Sequence, residues 1–152
     1  MKVSIDDLLQ YALDSEASDL HLSVGNIPML RIHGEMQKLD LPRMDKKAMD
    51  SIKNEVLNTN QKKIFSEKLE IDFSVSLKGK GRFRVNFFNQ INGVSAVFRT
   101  IPSLIKNSEE LGVPPIVNNL ATKDRGLIII TGPTGSGKST TLAAMVDQIN
   151  EN

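Results

Sequence analysis

The 152-residue sequence contains no cysteine. This excludes disulfide bonds and cysteine-ligated metal sites, and it fits a protein of a reducing compartment. The sequence also has no run of about 18 apolar residues, the length that a membrane-spanning helix requires. The first ten residues include Asp6 and Asp7 instead of the continuous apolar segment of a signal peptide. We therefore predict a cytoplasmic protein without a membrane span.

Charge of one sign is not in excess either, because 19 basic and 18 acidic residues give a formal net charge of +1. Such a balance creates no overall field that would attract nucleic acid or an anionic membrane surface. A nucleic-acid motor is disfavoured further, since the sequence shows no basic stripe and no ladder of exposed aromatic residues. We expect no nucleic-acid partner and no direct insertion into a membrane.

What the sequence does contain is a phosphate-binding motif near its end. Residues 132–139 read Gly-Pro-Thr-Gly-Ser-Gly-Lys-Ser and fit the P-loop pattern G-x-x-x-x-G-K-[ST]. Residues 127–131 before it are apolar and mostly β-branched, which predicts a buried strand, and an amphipathic helix is predicted from Lys138 to about residue 149. A strand before the loop and a helix after it are the structural context that this motif requires.

The glycines of the loop allow its backbone to curl, so that successive N–H groups point at phosphate oxygens. We expect Lys138 to reach the β- and γ-phosphates of ATP, and the Ser139 hydroxyl to bind Mg²⁺. The following helix directs the positive end of its dipole at the same anion. The predicted nucleotide-binding residues of this loop are Gly132, Pro133, Thr134, Gly135, Ser136, Gly137, Lys138, Ser139 and Thr140.

The residues that follow Ser139 allow only one helix, whereas a P-loop domain needs several further strands with their crossovers. We therefore expect the sequence to be the N-terminal part of a longer, nucleotide-driven protein. A second acidic Mg²⁺ ligand and the residue that positions the attacking water are expected outside it. The 152-residue chain alone is predicted to be inactive as an ATPase.

Before the P-loop, the sequence predicts a separate α+β domain. Helices are predicted where apolar residues recur every three or four positions, and strands where they alternate. Asn92 and Gly93 form the two-residue pattern of a hairpin turn. The predicted helices are residues 5 to about 14–17, 45–57, 59–69, a short one at 108–112, 116–121 and 138 to about 149, and the predicted strands in this domain are 19–24, 29–33, 35–39, 71–77, 82–90 and 94–101.

Three arginines are predicted near one surface of this domain. Alternation places Arg82 and Arg84 on the side opposite the Phe/Val core, and Arg99 lies on the strand that returns beside them. Guanidinium groups present forked donors to phosphate, so these arginines form a candidate anion-binding set. The alternative is that the three arginines only form a solvated polar face, and the residues alone slightly favour this alternative. His21 and His33 lack further ligands nearby in the sequence, so we assign no metal site to them.

Five segments of the chain carry distinctive motifs: residues 18–22, 82–86, 98–102, 110–112 and 125–141. They resemble, in the same order, the motifs of the bacterial secretion and type IV pilus ATPases. The resemblance implies a PAS-like N-terminal domain, followed by a RecA-like α/β ATPase domain that is truncated in this sequence. We place the PAS-like domain at residues 1–101, a linker at 102–115 and the start of the RecA-like domain at 116–152.

This resemblance also implies residue roles and partners. With Lys138, the arginines Arg82 and Arg84 are implied to be catalytic groups near the γ-phosphate, and Arg99 to contact the nucleotide. The implied assembly is a homohexameric ring that uses ATP and Mg²⁺ and lies at the inner membrane through a pilus platform protein.

Within this family, the short N-terminus and the lack of a cysteine-rich metal site favour the ATPases that retract type IV pili and drive twitching motility. The alternatives are a pilus-extension or type II secretion ATPase of the same family, or a non-catalytic nucleotide-binding or assembly module.

Overall fold

The chain forms two compact units, Met1–Pro102 and Ser103–Asn152. The computed structural model describes residues 4–102, 107–123, 125–133 and 136–151. None of the helices in these ranges is both long and apolar enough to cross a membrane.

The first unit is an α+β domain, as predicted, and its strands form one six-stranded antiparallel sheet. Its elements are α1 (Ile5–Asp14), β1 (Asp19–Ser23), β2 (Met29–Ile32), β3 (Glu35–Lys38), α2 (Lys46–Val56), α3 (Thr59–Lys68), β4 (Glu70–Leu77), β5 (Gly81–Gln90) and β6 (Gly93–Ile101). The strand order is β3-β2-β1-β6-β5-β4, so the first strand of the chain pairs with the last strand of the unit.

Local side-chain caps begin the three helices of this unit. The Ser4 hydroxyl accepts the Asp6 N–H at 3.2 Å before α1, and the Asp45 carboxylate accepts the Ala48 N–H at 2.7 Å before α2. A reciprocal capping box with Asn58 begins α3. Each such cap stabilises its helix by about 1 kcal/mol, which explains why sequence patterns alone located the helix starts.

The core lies between the helices and one face of the sheet. Phe87 of β5 is at its centre, with ring centroids 6.0 Å from Phe98 and 6.4 Å from Phe65 in edge-to-face geometry. Buried residues of α1 and α2, such as Leu8 and Met49, belong to the same cluster. The alternate residues of the strands, including all three predicted arginines, project from the opposite face.

The hairpin between β5 and β6 turns one residue earlier than predicted. Gln90 pairs with Gly93, so Ile91 and Asn92 form the two-residue loop and Gly93 is the first residue of β6. Gly93 has a φ of +126°, and a Cβ there would lie 3.0 Å from the Val24 Cγ2 atom. The glycine is therefore needed for its backbone conformation and for the close approach of Val24.

The second unit contains α4 (Pro115–Ala121) and α5 (Lys138–Glu151). Ala144 and Met145 of α5 are buried, and α4 contacts α5. The predicted strand at residues 127–131 is wrong, because the structure assigns no strand there and leaves Leu127 and Ile129 84% and 73% exposed. A strand requires a neighbour for its backbone hydrogen bonds, and the described part of this unit contains no other strand to supply one.

Candidate nucleotide-binding site

The described P-loop residues, 132–133 and 136–139, form a curled segment that leads into α5. Gly132 and Gly137 have φ angles of +147° and +85°, which favour glycine over other residues. A Cβ on Gly132 would lie only 2.8 Å from the Ser136 Oγ atom, so a side chain at this position would fill the curl. The predicted binding residues Thr134 and Gly135 lie outside the described residues.

Lys138 is the first residue of α5, and its side chain turns back over the loop. Its Nζ atom donates a hydrogen bond to the Pro133 carbonyl oxygen at 2.6 Å, which closes the segment between them. Ser139 and Thr140 follow on the first turn of the helix and are exposed. The ammonium group and both hydroxyl groups therefore lie within one turn of the loop, an arrangement that fits a phosphate chain with its Mg²⁺.

The helix behind the P-loop has an apolar side that the described residues do not fully cover. Leu142, Val146 and Ile149 are 53%, 48% and 52% exposed. With Leu120 of α4 and the segment before the P-loop, their side chains line a groove of about 270 Å³ within this unit.

In the first unit, a row of charged residues crosses the sheet. Arg84 of β5 lies directly opposite Arg99 of β6, and Arg99 lies opposite Asp19 of β1. Asp19 in turn pairs with Arg31 of β2. Directly opposite residues point to the same face of a sheet, so the four side chains share the face that is opposite the aromatic core.

Arg84 is held by an exposed carboxylate. Its Nε and Nη2 atoms donate to the Asp72 Oδ1 and Oδ2 atoms at 3.0 and 2.9 Å, and the two side chains are 64% and 43% exposed. The hydrogen bonds from Arg84 lower the pKa of Asp72 and raise that of Arg84, so both groups stay charged. Because both groups are accessible to water, another anion can replace Asp72 at little cost.

Arg99 is held by a buried carboxylate. Asp19 is 4% exposed, and its Oδ1 atom accepts the Arg99 Nε–H at 2.9 Å. Its Oδ2 atom accepts the Ser18 hydroxyl at 2.9 Å and lies 3.5 Å from the Arg31 Nε atom. Burial raises the pKa of Asp19, but these hydrogen bonds and the Arg99 charge outweigh it, so the pKa lies below its usual value of 3.8.

Arg82 and His21 complete this face. Arg82 lies opposite Ile101, is exposed, and forms no hydrogen bond or ion pair with the residues that the structure describes. The Nε2 atom of His21 is buried and has no hydrogen-bond partner among the described residues, and burial lowers the pKa of this histidine from 6.5. No cluster of three or more potential metal ligands occurs within the described ranges.

The structure brings together the three arginines that the sequence singled out, and it adds Asp19, Asp72 and Arg31. Alternation alone places Asp19 on the polar side of its strand. Its pairing with Arg99, 80 residues away, depends on β1 lying beside β6, and no local pattern specifies that neighbour.

Comparisons with known proteins agree with the sequence motifs. The family described as Type II/IV secretion system protein matches residues 1–152. The chain is 47% identical over 148 residues to the type IV pilus retraction ATPase PilT of Pseudomonas aeruginosa, covering 97% of this chain and 43% of that protein. It is 50% identical over 124 residues to a twitching motility protein of Neisseria gonorrhoeae, covering 82% of this chain and 33% of that protein.

A crystal structure of the pilus retraction motor PilT with bound ADP has the same fold over the matched region. The TM-score is 0.85 at 39% identity, and the match covers 97% of this chain and 43% of the solved one. The chain thus spans less than half the length of each of these relatives. Because the family match extends over all 152 residues, the chain belongs to the Type II/IV secretion system protein family.

Proposed function

We propose that this protein is an ATPase that powers type IV pilus retraction and twitching motility. The observation that carries the proposal is the curled P-loop, closed by Lys138 at the start of α5, in a chain 47% identical to a retraction ATPase. The name of the Pseudomonas relative favours retraction over pilus extension or type II secretion, and that of the Neisseria relative favours twitching motility.

In this proposal the P-loop holds the triphosphate of ATP. Backbone N–H groups of the loop, except at Pro133, which has none, surround the phosphates, and Lys138 exchanges the Pro133 carbonyl for phosphate oxygens. The Ser139 hydroxyl would hold Mg²⁺, and the bound ion would offset the negative charge of the phosphates. The related PilT structure contains bound ADP, which supports nucleotide binding by this protein.

The arginines of the first unit are proposed to act on the same nucleotide. Arg82 and Arg84 stabilise charge on the γ-phosphate, and Arg99 contacts the nucleotide nearer its base or ribose. Their contacts suit these roles, because Arg82 is without a partner among the described residues and Arg84 is bound only to an exposed carboxylate. A guanidinium in such a position acts mainly on the transition state of phosphoryl transfer.

The proposed assembly is a homohexameric ring. Residues 1–101 form a PAS-like domain, residues 102–115 a linker and residues 116–152 the beginning of a RecA-like domain. The ring lies in the cytoplasm and associates with the inner membrane through a pilus platform protein. Movement of the two domains relative to each other during ATP turnover drives the retraction.

ATP turnover with a Lys138→Ala variant tests this function. The full-length protein should hydrolyse ATP in the presence of Mg²⁺ and lose this activity on the substitution, because the phosphate chain loses its principal cation. Lys123→Ala is the matched control, since Lys123 is an exposed lysine of the same unit. The 152-residue chain alone should show no steady turnover; turnover by it that Lys138→Ala abolishes would contradict this part.

A further inference from the structure

We infer that Asp19 is a positioning residue, which holds Arg99 in the conformation that contacts the nucleotide. The inference rests on the proposed role of Arg99 and assigns a function to a carboxylate that does not itself touch ATP. It begins from the burial of Asp19, whose side chain is only 6% exposed whereas the Arg99 side chain is 66% exposed.

A buried carboxylate is stable only when its charge is paired and its oxygens accept hydrogen bonds. Asp19 meets this requirement with Arg99 and Ser18, both at 2.9 Å, and with the more distant Arg31 at 3.5 Å. Its place is fixed by the backbone, because β1 is paired on both sides, with β6 and with β2. Asp19 therefore has a fixed position, and it anchors the long and otherwise flexible side chain of Arg99.

The two carboxylates on this face hold their arginines differently. Asp72 accepts hydrogen bonds from both Nε and Nη2 of Arg84, and so occupies one forked side of that guanidinium. The guanidinium of Arg99, in contrast, donates to Asp19 through its Nε–H alone. The terminal nitrogens of Arg99 form no hydrogen bond with any described residue, so they remain available to a ligand while the base of the guanidinium is fixed.

This arrangement reduces the conformational entropy that Arg99 loses when it binds a nucleotide. A free arginine loses the freedom of several rotatable bonds when it binds a ligand, and prior immobilisation removes part of that loss. The benefit appears in the affinity for nucleotide, because Arg99 is proposed to contact the base or ribose in the ground state. Asp19 should therefore affect the binding of ADP and ATP more than the rate of the chemical step.

The test measures ADP affinity, KM for ATP and kcat in the full-length protein. Asp19→Ala is expected to raise the dissociation constant of ADP and the KM about two- to tenfold, the effect of releasing one long side chain, with kcat within about twofold. Asp19→Asn keeps the shape and one acceptor and should give a smaller rise. Asp50→Asn is the control, since Asp50 forms an ion pair with Lys53 on helix α2.

Two further variants separate this inference from the proposed function. If Arg99→Ala leaves ADP affinity unchanged, Arg99 does not bind nucleotide, and the proposed role of that residue is wrong. If Arg99→Ala weakens binding, the double variant Asp19→Ala/Arg99→Ala should bind no more weakly than Arg99→Ala alone, because Asp19 acts through Arg99.

Folding of the variants is checked by thermal unfolding. Should Asp19→Ala not fold, Asp19→Asn and Ser18→Ala replace it, since the exposed Ser18 supports the same carboxylate. Wild-type ADP affinity in folded Asp19 and Ser18 variants, together with weakened binding in Arg99→Ala, would overturn the inference.

Discussion

Among single residues, the exposed pair Arg84–Asp72 determines whether an arginine assigned to the γ-phosphate is available. Asp72 and a phosphate compete for the same forked donors. Asp72→Asn weakens the competitor, so we predict a kcat about two- to fourfold higher with little change in KM, because Arg84 is proposed to act on the transition state and an exposed ion pair contributes little. Steady-state kinetics of the full-length protein measures it, with Glu70→Gln on the same strand as control. An unchanged or lower kcat would show that Arg84 does not exchange partners.

The lowered pKa of His21 leads us to predict that the stability of the first unit depends on pH. Burial lowers its pKa below 6.5, while Arg31 and Arg99 oppose its protonation and Asp19 favours it. The unfolded chain therefore takes up the proton more readily, and stability should fall as the pH drops from 7.5 to 5.5. We expect His21→Gln to reduce this loss and His33→Asn, at an exposed turn residue, to retain it.

The measurement is urea unfolding followed by the fluorescence of Tyr11, the single tyrosine, which lies in α1 of this unit. Asp19 titrates below this pH range and so does not contribute to the difference. Equal pH dependence in the wild type and His21→Gln would refute the assignment.

Among the elements, local patterns predicted the helices and strands of the first unit, whereas the pairing of distant strands was not predicted. The caps at Ser4 and Asp45 and the alternation in β5 are local, and the helices and strands follow them. The strand at 127–131 failed because its apolar run has no partner strand in the described part of its unit. The hairpin loop lies one residue earlier than its Asn-Gly pattern predicts, and Gly93 is instead the first residue of β6, where a Cβ would lie 3.0 Å from the Val24 Cγ2 atom. The pairing of Asp19 with Arg99 likewise required the order of the sheet.

Because the segment before the P-loop is exposed, we predict that it is less protected from hydrogen exchange than the sheet of the first unit. In a monomeric sample of the chain, amides of residues 126–131 should exchange rapidly, whereas those of β5 and β6 in the sheet should exchange slowly. Hydrogen exchange read by mass spectrometry at several protein concentrations measures this. Protection of 126–131 that increases with concentration would indicate contacts borrowed from another copy, and slow exchange in a demonstrated monomer would contradict the prediction.

At the scale of the whole molecule, the chain carries two sets of groups suited to phosphate. One is the P-loop with Lys138 in the second unit, and the other is the face with Arg82, Arg84 and Arg99 in the first. The sequence patterns located both sets, because a P-loop is a local motif and the arginines follow strand alternation. That both act on one nucleotide is the central claim of the proposed function.

Substitution of the arginines in the assembled full-length protein tests this claim most directly. Arg82→Ala or Arg84→Ala should lower kcat at least about tenfold with little change in nucleotide affinity, since arginines of this kind stabilise the transition state by up to about 10³- to 10⁵-fold. Lysine should rescue either position poorly, because it lacks the forked donors. If both alanine variants assemble normally and hydrolyse ATP at the wild-type rate, the arginines form only a solvated face and the claim is wrong.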